Sequence, residues 1–289
     1  MNIVGTTDQN FLSQRIKKRP RNLHKGDCGK VLAICGSEGM AGAAVFTSKA
    51  AMRCGSGLVK LVTPEVNFPV IQISVPEVIC TKWDDVKDNL AQFDSVAIGP
   101  GMGKGERTRK LLEEVLEKYD GTIIIDADGL NTMAENPDLW VLVQERTAKG
   151  KAVVMTPHTV EAGRLLAAEL LNRGPTEFSK KELAEMLVDK FGCVAVIKGE
   201  NTLVAVSRDE AFVNTTGNPG MATGGSGDVL TGIIASLAGQ GLKAGDAARA
   251  GVFLHGMSGD LAAESLGEYG LIAGDIVDNL PLALKKIVG

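Results

Sequence analysis

Residues 214–232 read Asn-Thr-Thr-Gly-Asn-Pro-Gly-Met-Ala-Thr-Gly-Gly-Ser-Gly-Asp-Val-Leu-Thr-Gly, and the rest of the chain is best read outward from them. Gly220, Gly224, Gly225 and Gly227 precede a run in which Val229, Leu230, Ile233, Ile234 and Leu237 share one face of a helix. A glycine-rich turn entering such a helix lets backbone N–H groups and the positive helix end converge on an anion without side-chain crowding. Gly224, Gly225, Ser226 and Gly227 are therefore a candidate phosphate cradle. Asp228 sits at its mouth, where a carboxylate either caps the helix or takes a proton from a substrate hydroxyl.

Upstream, short β-branched runs at 31–34, 58–63, 95–98, 122–125, 152–155 and 194–197 read as buried strands. Amphipathic segments at 41–53, 106–118 and 180–190 lie among them, so strands alternate with helices. That alternation predicts an α/β fold with a mostly parallel central sheet and helices on both faces. Runs at 202–206 and 211–213, split by Ser-Arg-Asp-Glu, predict an antiparallel hairpin at a sheet edge. Helices over 244–266 and 275–287 complete the chain. No repeat or linker divides it, so residues 24–289 are expected to form one domain, with 1–23 an N-terminal extension or first helix.

A chain of 289 residues with 44% hydrophobic content can bury a full core. Its net charge of −4 offers no broad basic surface, which argues against nucleic-acid or anionic-membrane partners. Glycine is abundant (35 residues) and aromatics are scarce (4%), a balance suited to bound phosphates rather than stacked bases. Cys28, Cys35, Cys54, Cys80 and Cys193 are scattered and never form a C-x-x-C pair, so a reducing compartment is the simple reading. With no apolar leader and no spanning stretch, the expected location is the cytoplasm.

Four further segments carry candidate chemistry. Val196-Ile-Lys-Gly-Glu-Asn-Thr-Leu-Val-Ala205 places a cation and a tight turn at a strand end, suited to a phosphate or simply to a surface turn. Met155-Thr-Pro-His-Thr-Val-Glu161 places His158 and Glu161 beyond a strand's carboxyl end, where open α/β sheets hold their sites. In Ile125-Asp-Ala-Asp-Gly-Leu-Asn131, two carboxylates end a strand; Asp126 could meet Mg²⁺, and Asp128 could cap the next helix. Ile98-Gly-Pro-Gly-Met-Gly103 is a glycine-rich strand end that could admit a ligand or merely turn tightly.

Together with His24-Lys-Gly-Asp-Cys-Gly-Lys-Val-Leu-Ala-Ile-Cys-Gly-Ser37 and Gly39-Met-Ala-Gly-Ala-Ala44, these segments resemble the ADP-dependent NAD(P)H-hydrate dehydratases of the ribokinase-like superfamily. The resemblance runs from about His24 to the end and matches residues 214–232 most closely. It departs at Thr159-Val160, where the family has Pro-Gly, at Gly129 for Ala, at Cys35 for Gly and at Cys28, where an aromatic is common. The resemblance implies a ribokinase-like fold and a stand-alone dehydratase acting on the S-epimer of NADHX or NADPHX, with ADP, or ATP, as phosphate donor and Mg²⁺ as cofactor. It makes Asp228 the base; Lys198, Gly199, Glu200, Asn201, Thr202 and Gly227 nucleotide contacts; and Ala43, Gly103, His158 and Asp228 substrate contacts. Glu161, and more weakly Asp126, fall near the metal. It further implies a homo-oligomer, a tetramer, working beside a separate epimerase. Two other readings share the motif: a ribokinase-like kinase for a small alcohol, and a nucleotide sensor without catalysis.

Overall fold

The apolar runs pair into one ten-stranded sheet in the computed structural model, which describes residues 1–170 and 174–289. In chain order the first elements are β1 (Asn2–Thr6), α1 (Gln9–Arg15), β2 (Lys30–Ile34), α2 (Ala41–Arg53), β3 (Leu58–Val62), α3 (Phe68–Ser74) and β4 (Ile79–Thr81). Next come β5 (Ser95–Ile98), α4 (Glu106–Lys118), β6 (Thr122–Ile125), α5 (Asp128–Glu135), α6 (Asp138–Ala148), β7 (Val153–Met155) and α7 (Thr159–Leu165). The chain closes with α8 (Lys180–Phe191), β8 (Val194–Ile197), β9 (Leu203–Ala205), β10 (Glu210–Val213), α9 (Ser226–Gly239), α10 (Ala244–Leu266) and α11 (Ala273–Val288).

The strand order is β1-β10-β9-β8-β7-β6-β5-β2-β3-β4. From β8 to β4 every pairing is parallel, while β9 runs antiparallel to both β8 and β10. Successive side chains of a strand point to opposite faces, and both faces here are covered. Val31, Ala33, Ile124 and Val196 pack with α2, α9, α10 and α11, whereas Leu32, Ile34, Ile123, Ile125 and Ile197 pack with α4 to α8. The predicted helices on both faces are thus present, and all parallel strands deliver their carboxyl ends to one rim of the sheet.

The first 23 residues hold more than an extension or first helix. β1 adds a strand to the sheet edge by pairing in parallel with β10, and α1 buries Phe11 and Leu12 in the core. Also absent from the sequence reading are β4, α3, α5 and α7, segments too short to establish a period, and the eleven-residue α6. Cys28, Cys35, Cys54 and Cys193 are buried; burial holds the Cys35 thiol far above its usual range, so it is no nucleophile.

Helix α9 is buried along its whole length from Val229 to Gly239, wedged between the sheet and α2. A Cβ at Gly232 would overlap the Thr47 carbonyl oxygen of α2. Helix propensity alone favours alanine there by about 1 kcal/mol. Overpacking costs about 1–3 kcal/mol and wins, because the obstructing atom is backbone. Gly232→Ala should therefore lower the melting temperature; an unchanged or raised one would show that the two helices part freely.

Candidate active site

The rim at the carboxyl ends of β6, β7 and β8 carries a buried ion pair. Lys198 Nζ lies 2.6 Å from Asp126 Oδ1 and 3.8 Å from Glu161 Oε2, and Thr231 of α9 donates its hydroxyl to Asp126 Oδ2 at 2.6 Å. Both Asp126 oxygens are thereby engaged. Burial alone would depress the Lys198 ammonium, but Asp126 and Glu161 outweigh it and hold the group above its usual range.

Asp228, in the first turn of α9, is treated differently by the same surroundings. Burial first, and the charge of Asp126 second, push its carboxyl up to about 7, with Lys198 opposing. No described residue hydrogen-bonds its carboxylate. An unengaged acid that titrates near neutrality is suited to proton transfer.

The glycine-rich turn leads into α9 at Gly225. Gly225 takes the left-handed conformation (φ +91°) that starts α9, and a Cβ there would lie 2.6 Å from the Phe46 ring. The Ser226 amide donates to Thr223 and the Val229 amide to Gly225. The amides of Gly224, Gly225, Gly227 and Asp228 find no acceptor among the described residues. Free N–H groups at a helix start, beside a lysine ammonium, can receive an anion. Gly227 has room for little more, since a Cβ would lie 3.3 Å from Lys198 Nζ.

The D-A-D turn separates its two acids. Ala127, at φ +48°, turns the chain so that Asp126 points inward while Asp128 Oδ2 accepts the Gly103 amide at 2.8 Å. This close approach requires Gly99 (φ +127°), where a Cβ would overlap the Asp126 carbonyl oxygen. Ala43 backs the same loop: it is buried, and a Cβ at Gly101 would lie 2.6 Å from its own.

His158 caps α7. Its Nδ1 accepts from the Val160 amide at 3.2 Å, and Glu161 Oε2 returns the bond to the His158 amide at 2.9 Å. This capping box closes with Thr159-Val160 at its two middle positions. The Lys198 amide donates to the Pro157 carbonyl at 2.9 Å, which sets His158 beside Lys198. Thr202 donates to the Gly199 carbonyl at 2.8 Å, while Glu200 and Asn201 stand exposed at the tip of that turn.

The structure thus gathers Asp126, Glu161, Lys198, Gly227 and Asp228 at one point, with Gly103 and Ala43 joined to it through Asp128 and Gly101. Glu200 and Asn201 lie farther out. Among the described residues, no group of three or more His, Cys, Asp or Glu is placed to hold a metal by itself. Thr231, Asp128 as the holder of Gly103, His255 and Asp260 are not singled out by the sequence. Thr231 carries a signal that could find it, since it is a hydroxyl three positions from Asp228 inside an apolar helix.

A protein-family model described as NAD(P)H-hydrate dehydratase matches residues 31–282. The chain belongs to that family. Among dehydratase relatives, the ADP-dependent (S)-NAD(P)H-hydrate dehydratase of Neisseria meningitidis is 36% identical over 267 residues, covering 90% of this chain and 86% of that one. The bifunctional NAD(P)H-hydrate repair enzyme of Moorella thermoacetica is 37% identical, covering 94% of this chain and 52% of that protein. The chain therefore spans about half the length of its bifunctional relatives. A crystal structure of the ADP/ATP-dependent NAD(P)H-hydrate dehydratase from Bacillus subtilis, co-crystallized with ATP/Mg²⁺, superposes with a TM-score of 0.83 at 28% identity, covering 99% of each chain. The family's ribokinase-like sheet and helix layers are those described above. No helix among the described residues is long and apolar enough to cross a membrane.

Proposed function

We propose that this dehydratase-family chain uses ADP to convert the S-epimer of NADHX or NADPHX back to NADH or NADPH, releasing AMP and inorganic phosphate. The observation that carries the reading is Asp228: an unengaged carboxyl titrating near 7, one residue from free cradle amides and within electrostatic reach of Lys198.

The hydrate carries its hydroxyl on a saturated ring carbon, and hydroxide is a poor leaving group. Ionised Asp228 takes the hydroxyl proton as the oxygen attacks the β-phosphorus of ADP, and AMP departs. The amides of Gly224, Gly225 and Gly227 and the Lys198 ammonium face the charge that develops on the transferring group. The carbon–oxygen bond then breaks, phosphate leaves, and loss of a proton from the neighbouring ring carbon restores the double bond. His158, Gly103 and Ala43 line the substrate side; Gly199 to Thr202 form the nucleotide-side turn.

Mg²⁺ needs oxygen ligands and accepts few from protein. With both Asp126 oxygens taken, the donor set fits an ion held chiefly by phosphate oxygens and water, with Glu161 as the protein carboxylate that would face it; bound there, it would neutralise phosphate charge. Because one epimer is used, a separate epimerase would supply it.

Incubation of the pure protein with NADHX and ADP tests the reading. Return of the reduced-nicotinamide absorbance with stoichiometric AMP is expected; a stable phosphorylated product would make the chain a kinase, and no turnover would leave only nucleotide binding. The base must be ionised to act. Hence kcat/KM should fall as pH drops through about 7, by about tenfold per pH unit below it, and a flat profile down to pH 5 would remove Asp228 as the base.

A further inference from the structure

The phosphate cradle can hold an anion only if its amides stay fixed, yet residues 214–225 contain a single turn of 3-10 helix at Pro219–Met221. One face of α10 supplies what local structure does not. The Phe253 carbonyl accepts the Thr216 hydroxyl at 3.0 Å. His255 Nε2 lies 3.3 Å from Ser226 Oγ, and burial keeps that imidazole neutral, its pKa lowered to about 4. At Gly256 a Cβ would overlap Thr216, and at Gly259 it would overlap Met221 Sδ, so the loop lies directly on the helix.

Asp260 makes the most specific of these contacts. Its Oδ2 accepts the Gly217 amide at 2.9 Å and its Oδ1 accepts Asn218 Nδ2 at 3.0 Å. Asn218 Oδ1 in turn accepts the Gly220 amide at 3.1 Å. The chain of bonds therefore begins and ends on a backbone donor, Gly217 N–H at one end and Gly220 N–H at the other. Between two fixed donors, a pair of side chains can satisfy every bond only if one is a carboxylate and the other an amide. Two amides leave a donor facing a donor; two carboxylates leave an acceptor facing an acceptor.

We propose that Asp260 is a positioning residue for the nucleotide site, setting the 217–220 turn through a donor–acceptor parity that it shares with Asn218. The proposal rests on the functional reading above, in which the cradle takes the phosphates of ADP. Asp260 reaches no cradle amide itself and acts through the loop. Bonds to an ionised acceptor are the stronger kind, and an unpaired group left behind adds its own cost.

The test is a polarity swap. ADP binding is measured by titration calorimetry, and the KM values of ADP and NADHX by dehydration, for the wild type, D260N, N218D and the double variant N218D/D260N. Each single variant breaks the parity and should weaken ADP by about tenfold or more. General damage would affect both substrates, whereas here the KM for NADHX should move by less than about twofold. In the double variant the amide at position 260 donates to the carboxylate at position 218, which still accepts from Gly220, so ADP affinity should return to within about threefold of wild type. Should D260N not fold, N218D and its rescue by the second substitution carry the same comparison. Equal ADP binding by wild type and single variants, or a double variant no better than the singles, overturns the positioning role alone. A wild type that does not bind ADP overturns the functional reading and this inference with it.

Discussion

Asp228→Asn is expected to lower kcat by about 10²–10⁴-fold while leaving ADP affinity within about threefold, because the amide keeps the shape of the carboxyl but cannot take the hydroxyl proton. The same substitution should make the protein more stable at alkaline pH. Asp228 titrates near 7 in the fold against 3.8 in the unfolded chain. Its ionised form is thus disfavoured by folding, and stability falls as pH rises between those values. Above pH 7 wild type carries the full cost, about 2–4 kcal/mol, and the amide variant carries none. The variant's melting temperature should exceed wild type's by about 4–10 °C at pH 8, and the gain should vanish below pH 4. A variant that is inactive but no more stable at pH 8 would mean that the folded carboxyl is not strained by its surroundings. An active variant would remove Asp228 from the chemistry.

Asp126→Asn should act in the opposite sense. It removes the carboxylate shared by Lys198 and Thr231, leaving an ammonium that is 18% exposed with Glu161, at 3.8 Å, and the more distant charge of Asp228 to balance it. Breaking a buried pair in this way costs about 3–5 kcal/mol, which thermal denaturation would register as a loss of about 6 °C or more. The Asp126 charge is also the second cause of the raised Asp228 pKa. Its removal should shift the acid limb of kcat/KM below 7, so that residual activity survives to lower pH than in wild type. A destabilised variant whose acid limb stays in place would separate Asp126 from the tuning of Asp228 and leave it a purely structural role.

These two carboxylates mark what the sequence discloses and what it conceals. The cradle, its helix and the acid beside it are contiguous, and physics alone reads them: glycines, free amides and an apolar face all lie between 214 and 239. The parallel strands β2, β3 and β5 to β8 are equally legible, as short apolar runs rich in β-branched residues and bounded by turn residues. Contacts across the sheet are not. Asp126 reads as a weak candidate for a metal, but its neighbours Lys198 and Thr231 stand 72 and 105 residues away, and no local pattern announces an ion pair of that span. The strand at Asn2–Thr6 escapes for the same reason, because its partner is the hairpin strand at 210–213. His255 and Asp260 sit in a helix of small and apolar residues, where a polar side chain reads as solvated until the loop it holds is seen.

The central claim is that phosphate serves as a temporary leaving group, and the fate of one oxygen atom tests it most directly. NADHX carrying ¹⁸O in its ring hydroxyl is incubated with the protein and ADP, and the released phosphate is analysed by mass spectrometry. If the hydroxyl oxygen attacks phosphorus and the carbon–oxygen bond then breaks, each phosphate should carry one ¹⁸O. Label recovered in water, with unlabelled phosphate, would mean that hydroxide leaves directly and that ADP cleavage is a separate event.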